Sequence, residues 1–373
     1  MINQSKMKKL FALLLIPVLS FAQEMKTITA TNEMVNIKVD GKLKKKAWKI
    51  TPDVSPDVYA TNAKTVTFYT DKDEITVNPV EGKPYDFYID LNGKKALTRV
   101  QYEPTYIETL QRGATYNLQD KREFPAFSYT PSSDANLQKL RKEFNLDSIA
   151  GKGDEVSQIK NLMRWVHNTI RHDGSSDNPA VKNAQGIIGV CKAEGRGVNC
   201  RMMATVLNEC YLAMGFKSRY ITCMPKELKF DDCHVINMVY SKQLNKWLWM
   251  DPTFEAFVMD EKKNLLSVEE VRERLITGKP LKLNKEANWN HKSKRTKEDY
   301  LDGYMAKNLY RIQTPAISTY DTETDHSHPH LDYVELVPLE GLNQQHVSEM
   351  TYDSGDKRVF YVTNNPELFW AKP

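Results

Sequence analysis

The segment 199–253 constrains this chain more than any other, because the spacing of its apolar residues changes partway through. After Asn199, the residues Met203, Val206, Leu207, Cys210 and Met214 recur at helical intervals and the pattern stops at Gly215. That predicts a buried helix beginning at Cys200, with Asn199 as its cap. The period then falls to two. His234-Val-Ile-Asn-Met-Val-Tyr240 alternates as a strand, 241–246 is a polar turn, and Trp247-Leu-Trp-Met-Asp251 resumes the strand until Pro252-Thr253 ends it. In a tight hairpin Tyr240 faces Asn245, which brings His234 opposite Asp251 with both side chains on one face. A one-residue slip would separate them, so the register is a test.

A thiol at the first residue of a helix lies at the positive end of the helix dipole, which favours the thiolate, and the residue's own backbone N–H is free to donate to a developing oxyanion. A histidine and a carboxylate downstream complete the set that thiol chemistry needs. The imidazole takes the thiol proton and later returns it to a leaving amine, while the carboxylate holds the ring in one tautomer. Singly, Cys200 has the reading of a buried or bridged cysteine, His234 that of a structural histidine and Asp251 that of a turn residue before proline. Their order and spacing carry the signal. Cys210 falls on the apolar stripe and reads as packing or a disulfide partner, and Cys233 is expected to point away from His234. Gln185 is a candidate second oxyanion donor.

On these residues the chain resembles the transglutaminase-like superfamily: Cys200-Arg-Met-Met-Ala204 on a helix running to Met214-Gly215-Phe-Lys-Ser-Arg219, then His234 on a strand, then Trp249-Met-Asp251-Pro-Thr253. The resemblance spans about 134–275. It implies an α+β fold, a papain-like core with the nucleophile helix packed on an antiparallel sheet, and the catalytic roles of nucleophile for Cys200, base for His234 and orienting carboxylate for Asp251. No cofactor is expected, and cysteines without a Cys-x-x-Cys spacing give no metal site. The superfamily includes proteases, amidases and crosslinking enzymes, and the expectation here is hydrolysis of peptide-like amides, with crosslinking as the other acceptor choice. A catalytically silent module that binds peptide or glycan is the alternative. Family members often carry an aromatic residue two places after the histidine; here it is Ile236, which leaves the substrate pocket undefined.

The remaining sequence divides the 373 residues into a leader at 1–22, a small β domain with its linker at 23–125, the catalytic domain at 126–290 and a C-terminal helix and strands at 291–373. In the leader, Lys6, Lys8 and Lys9 precede a short apolar run ending in small residues, the pattern of a cleaved signal peptide, so export to periplasm or medium is expected. Strands are expected at 35–39, 66–69, 75–80 and 85–91, the last joined by Asn92-Gly93 to a strand at 94–102. The stretch 103–133 reads as a connection. Helices are expected at 134–144, 154–171 and 297–312, with Trp165 in a core and His167 on the surface.

With the leader removed the charge falls from +4 to about +1, and the basic run 290–297 reads as solvated surface, so no nucleic-acid partner is expected. The expected partner is a protein or peptide substrate, with no stable membrane insertion after leader removal. The histidines of 325–330 read as a surface tract. Cys191, Cys200, Cys210, Cys223 and Cys233 are an odd set in a chain expected to be exported, which suggests one free thiol and one or two disulfides.

Overall fold

The computed structural model describes residues 25–230, 232–324, 330–340, 344–351 and 355–373. The expected leader and residues 325–329 of the histidine tract lie outside the described residues. The chain divides into two compact units between Pro104 and Thr105.

The first unit is all-β. One four-stranded sheet runs Thr27–Ala30, Tyr85–Leu91, Lys94–Tyr102, Asp57–Thr61, and the other runs Lys42–Lys49, Met34–Val39, Val66–Tyr69, Glu74–Val77. Alternate residues of both sheets fill one core, with Val35, Ile37, Phe68, Phe87 and Ile89 buried in it. Phe68 meets Phe87 edge-on at 5.4 Å. The hairpin is closed by Asn92 and Gly93 at φ 51° and 87°, the left-handed pair that a two-residue turn between right-twisted strands requires. Edge strand Lys42–Lys49 exposes Lys42, Lys44, Lys45, Lys46 and Lys49, charges that discourage pairing with another chain.

The second unit is built on a seven-stranded sheet in the order Lys246–Met250, His234–Ser241, Ser218–Met224, Arg311–Pro315, His330–Leu336, Lys357–Thr363, Val347–Thr351. Neighbours are antiparallel except His330–Leu336 with Lys357–Thr363. Val239, Leu248 and Met250 share a core with helices Ala135–Glu143, Glu155–Thr169, Ala184–Glu194 and Cys200–Ala213. Ile236, Met238 and Trp249 share another with Tyr106–Arg112, Val268–Thr277 and the helical turns from Glu298 to Asn308. Both faces are thus covered, so Ser218–Met224 and His234–Ser241 are buried along nearly their whole length rather than on one face only. The α+β class and the small β region ahead of the core agree with the expectation from sequence.

Two local expectations change. The connecting stretch contains helix Tyr106–Arg112, started by a capping box of Thr105 and Glu108 and packed into the second unit's core through buried Leu110. The helix expected at 297–312 is shorter and differently wound. Glu298–Met305 is a π-helix, Ala306–Asn308 a last α turn, and by Arg311 the chain has entered the sheet. Single π turns of this kind concentrate at functional sites.

Candidate active site

Helix Cys200–Ala213 begins at the cysteine, as its apolar spacing predicts, and Asn199 caps it by accepting from Met202 N–H at 3.2 Å. The helix is docked on the sheet by a buried polar contact, Asn237 Nδ2 donating to the Ala204 carbonyl at 2.9 Å. The cysteine itself remains partly open to solvent.

The hairpin register differs from the expected one by two residues. Tyr240 pairs with Trp247, Asn237 with Met250, and the ladder ends there. Ser241 pairs with Lys246, so the connection is a four-residue loop, 242–245, with Asn245 in the left-handed region at φ 51°. Asp251 therefore sits one step past the ladder, diagonal to His234 rather than opposite it. Because the shift is even, the two side chains still leave on the same face. His234 Nε2 donates to Asp251 Oδ2 at 2.7 Å, with both side chains shut off from solvent.

Asp251 accepts four hydrogen bonds. Oδ2 takes the Tyr300 hydroxyl at 2.6 Å besides His234, and Oδ1 takes the backbone N–H groups of Thr253 at 2.8 Å and Phe254 at 3.4 Å. Pro252 makes this geometry possible by stopping the strand and turning the next two amides back onto the carboxylate. Every lone pair of the buried charge is matched, the condition under which a carboxylate is tolerable in a core.

Since His234 Nε2 is committed to the carboxylate, Nδ1 is the atom that meets Cys200. His172, His234 and the backbone N–H of Val235 are the groups around the sulfur that favour its thiolate. Burial alone would push this thiol up, but the bonds from His172 and His234 and the His234 charge outweigh it and bring Cys200 down to about 6. Burial likewise opposes charge on His234, yet the charge and hydrogen bond of Asp251, with Cys200 opposite, raise it to about 10. Between those limits the pair is thiolate and imidazolium, titrating as a unit.

The other four thiols move the opposite way. Burial raises Cys191, Cys210 and Cys223, and burial with the nearby Cys200 charge pushes Cys233 up to about 11. None of the five is bridged, against the expectation of disulfides. Cys191 and Cys210 are buried on one side of the sheet and Cys223 on the other, so the sheet itself separates them.

Several site residues escape sequence reading. The aromatic surround absent at Ile236 is supplied from elsewhere: Phe254 and Tyr304 lie 5.3 Å and 5.2 Å from the His234 ring, and Tyr300 lies 5.3 Å from Phe254. Tyr300 and Tyr304 belong to the π-helix, and their four-residue spacing is the one sequence sign that they share a face. His167, expected on the surface, is buried, with Nδ1 3.0 Å from the Pro252 carbonyl, so it buttresses the turn that shapes Asp251. Trp165 is half-buried against Phe144. Gln185 is turned to Tyr320, whose hydroxyl donates to its Oε1 at 2.8 Å. His172, not Gln185, is the side chain that acts on the Cys200 thiol alongside His234.

Among the described residues no cluster of three or more His, Cys, Asp or Glu could hold a metal ion. No helix among them is long and apolar enough to cross a membrane.

Residues 142–252 match the family model described as the transglutaminase-like superfamily. No curated protein sequence matches the chain. Among solved structures, a candidate cysteine protease from Cytophaga hutchinsonii aligns at 25% identity over 35% of this chain and 40% of its own, with a TM-score of 0.24. LapG of Legionella pneumophila aligns at 16% identity over 39% and 78%, with a TM-score of 0.26. Red sea bream transglutaminase aligns at 11% identity over 59% and 52%, with a TM-score of 0.23. The chain thus spans less than half the length of the Cytophaga protein. Residues 142–252 contain the helix start at Cys200, the strand start at His234 and the carboxylate Asp251, and through this segment the chain carries a domain of the transglutaminase-like superfamily.

Proposed function

We propose that the second unit is a thiol enzyme that forms an acyl-enzyme at Cys200 from a peptide-like amide, with His234 as base and acid and Asp251 as the orienting carboxylate. The observation that carries this reading is the chain from a thiol at a helix start through an imidazole to a fully bonded buried carboxylate. The thiolate attacks the amide carbonyl carbon, forming the C–S bond while the carbonyl electron pair moves onto oxygen. The His234 imidazolium gives its Nδ1 proton to the amine as the C–N bond breaks. Neutral His234 then takes a proton from the acceptor, water or an amine, which attacks the thioester and releases Cys200. The partial solvent exposure of residue Cys200 supports water as the acceptor, hence hydrolysis. The leader pattern at 1–22 supports work outside the cytoplasm, on protein or peptide substrates.

The test is incubation of the full chain and its Cys200→Ala variant with a peptide library, alone and with a biotinylated primary amine. Cleaved amides that vanish in the variant support hydrolysis; biotin incorporation that vanishes supports crosslinking. A reactive, reduced Cys200 that yields neither product sinks the proposal.

A further inference from the structure

Two imidazoles favour the Cys200 thiolate, His234 and His172, the latter on backbone that bridges Val198 two residues before the cysteine, and one nitrogen of each ring is held by an opposite kind of partner. His234 gives Nε2–H to a carboxylate, so its Nδ1 is the basic atom on the sulfur side. His172 has the reverse arrangement. Trp289 Nε1 lies 3.1 Å from His172 Nδ1, and because an indole N–H can only donate, Nδ1 is held as an acceptor. The proton of His172 is therefore on Nε2, and Nε2–H is the atom left to bond the sulfur.

The placement of this ring is built, not incidental. The His172 backbone is gripped at both ends by one side chain: His172 N–H donates to Asn290 Oδ1 at 2.8 Å, and Asn290 Nδ2 donates back to the His172 carbonyl at 2.9 Å. Asn290 and Trp289 belong to a short hairpin, Asn288–Trp289 with Ser293–Lys294, whose turn residues Asn290 and His291 have φ of 53° and 57°. His172 also bridges Val198, two residues before the nucleophile, and Gly197 beside it approaches so closely that an added Cβ would lie 2.5 Å from the Arg171 carbonyl oxygen. The histidine backbone is thus held by Asn290 and tied to the helix start through Val198.

We infer that His172 is a catalytic residue, the second donor of the oxyanion hole alongside the Cys200 backbone N–H, and that Trp289 is its positioning residue. The inference rests on the acyl-transfer reading above. When sulfur attacks, its negative charge moves two bonds away to the former carbonyl oxygen, and a rigid N–H aimed at the sulfur is positioned to follow that charge. His172 keeps its proton throughout: the C–S bond forms, the carbonyl pair moves to oxygen and returns when C–N breaks, and the only proton transferred goes from His234 to the leaving amine. Because its Nε2 already carries hydrogen, His172 cannot compete for the thiol proton. The indole and the carboxylate thereby give two identical side chains different work.

The test compares two reactions of Cys200 in the full chain, alkylation followed by mass spectrometry of the Cys200 peptide and acetylation followed by the p-nitrophenolate released above that of Cys200→Ala. Acetylation by p-nitrophenyl acetate passes through an oxyanion; alkylation by iodoacetamide does not. Their ratio cancels any change in the thiolate population. In His172→Ala the ratio is expected to fall on the order of 10²-fold, while alkylation above the thiol's titration range does not fall below the wild-type rate, which certifies an intact site. His172→Gln, which restores an N–H at a similar reach, is expected to recover most of the ratio. Trp289→Phe is expected to lower the ratio about tenfold, as one donor's alignment is lost, with ¹⁵N spectra showing His172 shifting from the pure Nε2–H tautomer to a mixture. An unchanged ratio in His172→Ala, or a wild-type His172 carrying its proton on Nδ1, overturns the inference. Wild-type protein that alkylates at Cys200 but does not acetylate would instead overturn the acyl-transfer reading beneath it.

Discussion

Replacing His234 by alanine removes the charge and one of the hydrogen bonds that hold Cys200 near 6, while the burial that opposes the thiolate remains. The thiol is then expected to return to at least the ordinary value of about 8.5. At pH 6 about half of the wild-type protein is thiolate, against ~0.3% of the variant. The thiolate of a weaker acid is a better nucleophile, with a slope of about 0.4–0.5 per pKa unit, so each variant thiolate reacts roughly tenfold faster. The two effects oppose one another with different pH dependence. Wild type is expected to alkylate about tenfold faster at pH 6, the two rates to cross at about pH 7.4, and the variant to be about tenfold faster at pH 10. Iodoacetamide labelling of the Cys200 peptide across this range measures it. A crossing cannot arise from misfolding or altered access, which would scale the whole profile. Parallel profiles, or a wild-type inflection near 8.5, would refute the thiolate–imidazolium pair.

Asp251→Asn is expected to keep the alkylation site folded but to lower acyl transfer by about 10²–10⁴-fold, because an amide N–H facing His234 Nε2 favours the tautomer with hydrogen on Nδ1, against the sulfur; turnover on any library substrate found active checks it. Tyr300→Phe removes a hydroxyl bonded to the buried carboxylate and leaves the Trp249 indole N–H, 3.2 Å from that hydroxyl, without its acceptor, so unfolding in urea is expected to come about 1–3 kcal/mol sooner. Glu209, buried on helix Cys200–Ala213, is raised to about 8 by burial despite accepting from the Ala184 and Asp321 amides. Its folded form holds a proton that the unfolded chain loses above the ordinary glutamate range, so stability is expected to fall from about pH 4.5 to about pH 8 by up to ~1.4 kcal/mol per unit, and Glu209→Gln is expected to flatten that slope in denaturation curves.

What sequence alone determined is local. The helix start at Cys200 and its Asn199 cap follow from apolar spacing and capping chemistry, the Asn92-Gly93 hairpin from its turn residues, and the strands at 234–241 and 246–250 from period-two alternation. These are decided by interactions within a few residues, so they are written in order along the chain. The shared face of His234 and Asp251 was legible for the same reason, since parity survives a register error of two; the register itself was not, because the loop length depends on Asn245 adopting a left-handed conformation and on how the hairpin docks.

Only the tertiary structure decided which residues surround the thiol. His172 and Trp289 are brought together across 117 positions by a hairpin too short to stand out in sequence, and Tyr300 and Phe254 reach Asp251 and His234 only because the π-helix and the turn after Pro252 pack on the same face of the sheet. The unbridged cysteines are of the same kind. Sequence counts thiols, but the sheet lying between Cys210 and Cys223 is a property of the folded core. Local propensity sets where elements begin and end; side-chain contacts between distant elements depend on how apolar faces are buried against one another, which no short window of sequence contains.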